Sequence, residues 1–211
     1  MIFIDTGHGH KGTGQRYDPG AIMPVSAPGE SSTEPEPHRT EAVIVRHMGA
    51  ALSSVLHQEG RPHMMVPDLG RYADRHRWVG ERVAFLWVGA RVAFLGAGPH
   101  LYVQLHVNAG AGQYALVEYD QRSSRGAETA GIVTERLALL DGVTDGQVRS
   151  LSEGERGHTC ISGIWPIRGV CAILIEPGFI DQPSHRHLWQ PAGISAVAER
   201  LAQGILVAVG A

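Results

Sequence analysis
Short unbroken apolar runs alternate along this chain with longer stretches in which apolar residues recur every three or four positions. The runs Ile2-Phe3-Ile4-Asp5, Leu101-Tyr102-Val103-Gln104-Leu105 and Val170-Cys171-Ala172-Ile173-Leu174-Ile175 read as buried strands, and 63–66 and 114–119 are further strand candidates. Helical spacing begins at Thr40, where Ile44, Met48, Ala51 and Val55 form a stripe. Thr40 reads as an N-cap, which puts Glu41 in the first helical turn. A second helical region covers 71–95 and a third 126–140, and the last keeps Ile194, Val197, Leu201, Ile205 and Val209 on one face. Residues from about 9 to 38, rich in Gly, Pro, Ser and Glu, carry neither rhythm and read as a long loop. Residues 141–163 read as a loose segment. Strands alternating with helices predict an α/β fold with a mostly parallel central sheet covered by helices on both faces. At 211 residues the chain fits a single domain.

The second helical region contains a tandem repeat. Trp78-Val79-Gly80-Glu81-Arg82-Val83-Ala84-Phe85-Leu86 is followed at once by Trp87-Val88-Gly89-Ala90-Arg91-Val92-Ala93-Phe94-Leu95. Nine residues are about two and a half helical turns, so the two aromatic sets face opposite ways. Either both copies pack or one is left as an exposed sticky face.

The formal net charge of −3 and the pI of about 6.4 argue against a nucleic-acid partner or a membrane-surface binder. No apolar stretch is long enough to span a bilayer. The first residues lead directly into a strand, without a basic region or cleavage site, so no signal peptide is expected. Lys11 is the one lysine against seventeen arginines, and Asn108 is the one asparagine. A GC-rich genome explains this composition, and a thermophilic source, hence a thermostable protein, is the alternative. Two cysteines, Cys160 and Cys171, make no disulfide framework, and whether they pair stays open.

Candidate chemistry lies at the ends of the apolar runs. His8 and His106 each follow a strand-like run, Glu176 closes another, and Glu41 opens a helix. In an α/β sheet such positions converge on one edge, where sites are built. Two imidazoles and a carboxylate suit a catalytic zinc with an open fourth position, and a second carboxylate suits a general base. For Glu176 the bland reading is a structural salt bridge at a strand end. Asp5 either orients a ligand histidine or caps the loop after the first strand. Gly7-x-Gly9-x-x-Gly12 also matches a dinucleotide fingerprint, but no helix begins at these glycines, which argues against that use. His10 and the His185-x-His187 pair read as solvent-exposed or backbone-bonded, and Arg71, Arg75, Arg77 and Arg82 as a solvated helix face.

Ile4-Asp5-Thr6-Gly7-His8-Gly9, Asp18-Pro19-Gly20-Ala21, Glu41, His106-Val107-Asn108 and Glu176-Pro177-Gly178-Phe179-Ile180-Asp181 follow in that order. This resembles the zinc-dependent N-acetylmuramoyl-L-alanine amidases of the Amidase_3 type over essentially the whole chain. The resemblance implies one Zn2+ held by His8, Glu41 and His106, with Glu176 as the catalytic carboxylate. It implies peptidoglycan as substrate, cut between N-acetylmuramic acid and the first alanine of the stem peptide. With no export signal expected, a phage endolysin is the favoured reading, made in the cytoplasm and acting on the wall after release. A monomer is expected, and residues 1–211 are expected to be all amidase domain with no separate wall-binding module. The alternatives are a non-catalytic wall-binding protein of the same fold and a zinc peptidase acting elsewhere on the stem peptide. The chain departs from the pattern in the length of 10–17 and 24–37, in Gln104 where serine is common, and in Gln182 where asparagine is common. These departures bear on substrate fit more than on chemistry.

Overall fold
The structure, a computed structural model, describes residues 1–8, 20–23, 40–90 (side chains to 86) and 100–210. Among the described residues six strands form one sheet: β1 (Ile2–Asp5), β2 (His63–Met65), β3 (His100–Leu105), β4 (Tyr114–Asp120), β5 (Asp145–Leu151) and β6 (Val170–Glu176). Their spatial order is β2-β1-β3-β6-β4-β5. Every neighbouring pair is parallel except β4 with β6. The exception follows from chain length. Only residues 106–113 link β3 to β4, too few for the crossover of a dozen or more residues that a parallel return needs. The chain therefore turns back, and β6 later inserts between the two.

Helices cover both faces, as the alternation predicts. On one face α1 (Glu41–Gln58), α3 (Ser124–Leu137) and α5 (Pro191–Ala208) bury Ile44, Val133 and Leu201 against Ile4, Val103, Val117 and Ile173. On the other, α2 (Tyr72–Ala90) and the short α4 (His158–Ile161) bury Val79, Val83 and Ile161 against Phe3, Tyr102 and Leu174. Among the described residues no helix is long and apolar enough to cross a membrane.

The stripe of α1 is centred on Ile44, Met48, Leu52 and Leu56, all buried, while Ala51 and Val55 flank it. Thr40 is the N-cap of α1 by position, though its side chain makes no capping bond. The last helix buries Ile194, Val197, Leu201 and Ile205 as its spacing predicts. Segment 141–163 is not loose: it holds β5 and α4. The strand escapes a pattern reading because it is an edge strand with mostly exposed side chains, so it has no apolar alternation to detect. In the tandem repeat, the first copy buries Val79 and Val83 and leaves Phe85 71% exposed. The aromatic set of the second copy, and residues 91–95, lie outside the described side chains.

Within the α2 face sits a buried polar network. Arg75 is 3% exposed and donates to Asp5 at 2.7 Å, to the Gly7 carbonyl at 2.8 Å and to Asp68 at 3.0 Å. The Tyr102 hydroxyl donates to the other Asp5 oxygen. Removing one partner of a buried pair strands the other charge, at a cost of about 3–5 kcal/mol. Arg75→Ala is thus expected to lose stability of that order in urea denaturation under chelating conditions. Asp5→Leu combined with Arg75→Met should recover most of it, because no charge is then left buried.

Candidate active site
The parallel strands bring three chain segments to one edge. Asp5 pairs with Gln104 and Leu105 with Ile175, so the ends of β1, β3 and β6 lie side by side. His8 follows β1 through Gly7, whose carbonyl Arg75 holds, and His106 follows β3 directly. Glu41 opens α1 and faces both. Its Oε1 lies 2.9 Å from His106 Nδ1 and 3.2 Å from His8 Nε2, and it accepts from the Val107 amide at 3.0 Å. Its Oε2 accepts from the Ala21 amide at 2.9 Å. Two glycines make this closeness possible. A Cβ on Gly7 (φ +24°) would fall 2.6 Å from His106 Nε2, and one on Gly20 (φ +67°) 2.5 Å from Glu41 Oε2.

Donor atoms of His8, Glu41 and His106 all lie within 4.8 Å of one another, the one such cluster among the described residues. The two separations from Oε1 are close to the edge of a tetrahedron, about 3.3 Å, that zinc bonds of about 2.0–2.1 Å would span. Two imidazoles and one carboxylate form a donor set suited to zinc, so the residues present fit that ion. Burial alone would raise the Glu41 carboxyl, but bonds from His106 and His8 hold it well below the usual carboxylate range. For His106, burial alone would lower the imidazole, while the Cys160 thiol and Glu41 raise it to about 10. Glu41 thus stays ionised between the two imidazoles.

Glu176 lies in the same cleft with the opposite environment. Burial, and then the nearby Glu118 carboxylate, push it up to about 7. In the antiparallel pairing Leu116 faces Glu176 and Glu118 faces Leu174, so the two acids share a face two residues apart. Glu118 is buried and ion-paired with Arg149 of β5. The cleft measures about 500 Å³, and its lining includes His8, Glu41, His106, Glu176, Tyr72 and Cys160. Its far wall is braced by the 106–111 and 178–182 loops. Asp181 accepts from the Gly110 and Ala111 amides, and Gln182 donates to the Ala111 carbonyl at 2.9 Å. Asn108 joins the same brace through its backbone bonds to Gly178 and Ile180.

Several expectations are corrected here. Asp5 neither orients a histidine nor caps the loop, but pairs with Arg75 and Tyr102. Arg75 is therefore no solvated residue, unlike Arg71, Arg77 and Arg82. His185 is fully buried, accepting from the Phe179 amide at 2.9 Å through Nδ1 and bonding the Gly142 carbonyl through Nε2. His185 is thus the backbone-bonded of the two readings that its spacing left open. Cys160 lies in α4. It and Cys171 are free and belong to cores on opposite faces of the sheet, which separates them. Glu118, Arg149 and Cys160 carry no local motif and are missed by a reading of spacing. His10 and Asp18 fall outside the described residues.

Three solved structures share this architecture. AmiC2, an N-acetylmuramoyl-L-alanine amidase of Nostoc punctiforme, is 19% identical, with 98% of this chain and 94% of that one covered and a TM-score of 0.66. The N-acetylmuramyl-L-alanine amidase Ami1 from Mycobacterium smegmatis is 18% identical, with 99% and 96% covered and a TM-score of 0.66. The catalytic domain of CD27L, an endolysin targeting Clostridia difficile, is 18% identical, with 98% and 96% covered and a TM-score of 0.56. No curated protein sequence matches the chain significantly. The pattern of the N-acetylmuramoyl-L-alanine amidases matches residues 2–207, and the chain belongs to this family, Amidase_3.

Proposed function
We propose that this protein is a zinc-dependent N-acetylmuramoyl-L-alanine amidase that cuts the amide between N-acetylmuramic acid and L-alanine of the peptidoglycan stem peptide. One observation carries the reading: the His8, Glu41 and His106 donors cluster in a cleft that also holds a carboxylate, Glu176, raised to about 7. Zinc held by these three residues supplies Lewis acidity toward the scissile carbonyl and acidifies water. Glu176 takes the proton of the attacking water and delivers it to the alanine nitrogen as the amide bond breaks. A carboxyl group poised near neutrality suits both halves of that transfer. Glu118, neutralised by Arg149, raises Glu176 without being spent in the proton transfer. The same reading takes the enzyme as lytic, acting on a cell wall after release, as a phage endolysin does.

Digestion of purified walls is the direct test. Turbidity should fall, and mass spectrometry should find new L-alanine amino termini with the lactyl group left on the glycan; new ends elsewhere in the stem peptide would make it a peptidase instead. Chelation should abolish turnover and zinc should restore it. Zinc also binds the folded state preferentially, so its removal should lower the melting midpoint. With zinc, that midpoint is expected above the mesophile range of about 45–65 °C.

Glu176→Ala should lose about 10²–10⁴-fold in kcat while binding zinc like the parent. Zinc loss in proportion to activity would make Glu176 a ligand. Glu118→Gln tests the environment of the base. Glu176 must be ionised to accept a proton, so the acidic limb of kcat/KM follows its pKa. Removing the Glu118 charge takes away a cause that raises this pKa and leaves Arg149 unneutralised. The limb should therefore move to lower pH, and a limb that stays put or moves up would dismiss Glu118 from this role.

A further inference from the structure
The proposed cut separates a glycan from a peptide, and only the peptide brings charge to the cleft. The lactyl carboxyl of the sugar is tied up in the scissile amide, whereas the stem peptide keeps carboxylates of its own. Recognising them takes a cation that the protein has not already neutralised. Among the described residues two guanidinium groups line the cleft, those of Arg149 and Arg156. Arg149 is committed to Glu118. The Arg156 side chain is exposed and makes no ion pair or hydrogen bond with the described residues. Resting on the amidase reading above, we propose that Arg156 is a specificity-determining residue that receives a carboxylate of the stem peptide.

The chain around Arg156 holds it at this place. Residues 152–158 form a tight turn, in which the Glu155 amide donates to the Ser152 carbonyl at 3.2 Å and the His158 amide to the Glu155 carbonyl at 3.1 Å. Gly157 (φ +91°) runs so close to the Glu118–Arg149 pair that a Cβ on it would fall 3.0 Å from Glu118 Oε2. Arg156 is therefore anchored through its backbone beside Glu118, which shares a face with Glu176. The acids nearby are turned elsewhere. Glu155 accepts from both the amide and the hydroxyl of Ser152. Asp120 pairs with Arg122 and lies 3.6 Å from His158. Glu153 lines the adjoining cavity with Arg122 rather than this cleft. The guanidinium keeps a rigid fork of donors that matches a carboxylate bidentately. In the proposed reaction Glu176 hands its proton to the alanine nitrogen, so the departing peptide lies on the side where Arg156 stands.

Soluble muramyl peptides test this in three matched forms: all carboxyl groups free, the one on the residue after L-alanine amidated, and the one at the peptide's end amidated. On the free form Arg156→Ala is expected to raise KM by about 10–100-fold with kcat retained, the effect of a lost charge-assisted hydrogen bond. Arg156→Lys, which keeps the charge without the fork, should recover part of it. One amidated form should cost the parent the same factor and leave Arg156→Ala indifferent, and that form identifies the carboxylate. The side chain is exposed, so zinc content and melting midpoint should match the parent. An unchanged KM in Arg156→Ala overturns the inference, as does an equal loss on all three forms. Titration calorimetry of the same peptides on the slow Glu176→Ala variant, with and without Arg156→Ala, reads the preference as a Kd. A parent that cuts none of the peptides overturns the amidase reading. A Kd preference for the free carboxylate that Arg156→Ala removes then still upholds the carboxylate site, and no preference overturns it.

Discussion
Four nitrogens surround the two oxygens of Glu41: the Ala21 and Val107 amides, His106 Nδ1 and His8 Nε2. They come from segments far apart in the chain, and the carboxylate is where these segments are tied together. A buried carboxylate is tolerated only when it is paired and hydrogen-bonded, and each of these contacts meets part of that need. Its position in the first turn of α1 adds the favourable end of the helix dipole, worth about 0.3–1 kcal/mol. The glycines on either side answer the same demand. Gly7 lets the chain pass against the His106 ring, and Gly20 lets the 20–23 segment close over Glu41. A second layer fixes the approach of His8, since Arg75 joins the carbonyl of Gly7 to Asp5 at the end of β1.

Two carboxylates are pushed in opposite directions within one cleft. Glu41 is surrounded by donors and stays ionised, whereas Glu176 is buried beside another acid and rises toward neutrality. Groups driven apart in this way usually divide the labour of a reaction between them, one binding charge and the other exchanging a proton. Arg149 decides how far the second effect goes. Without its ion pair Glu118 would itself be an uncompensated buried charge, so the pair permits an acid to sit beside Glu176 at all.

The parallel core and the positions at its edge were legible in the sequence, because buried strands leave apolar runs and the candidate site residues stand at their ends. β6 was read to the residue, and His8, Glu41 and His106 do converge. What was not legible has a common cause. β5 packs few apolar side chains, so its strand character comes from pairing with β4, which no local pattern records. Arg75 looks like one more cation on an arginine-rich helix, and only the distant Asp5, seventy positions away, makes it a core residue. His185 likewise acquires its role from Phe179 and Gly142. Side chains whose partners lie across the sheet carry no signal in their own neighbourhood.

The reversal of β4 shows how much of the cleft follows from one short connection. Residues 106–113 cannot form a crossover, so β4 starts at the edge where the parallel strands end. β6 then inserts next to it, antiparallel, with Leu116 facing Glu176. Diagonal neighbours in such a pair lie about 7–8 Å apart, within reach of long side chains. Glu118 thus comes beside Glu176, and the parallel pairing of β4 with β5 brings Arg149 opposite Glu118. In an all-parallel sheet the strand beside β6 would end, not begin, at this edge, and its turn would crowd the cleft from a different register. The neutral-range carboxylate of Glu176 is therefore set by strand direction as much as by the residues themselves.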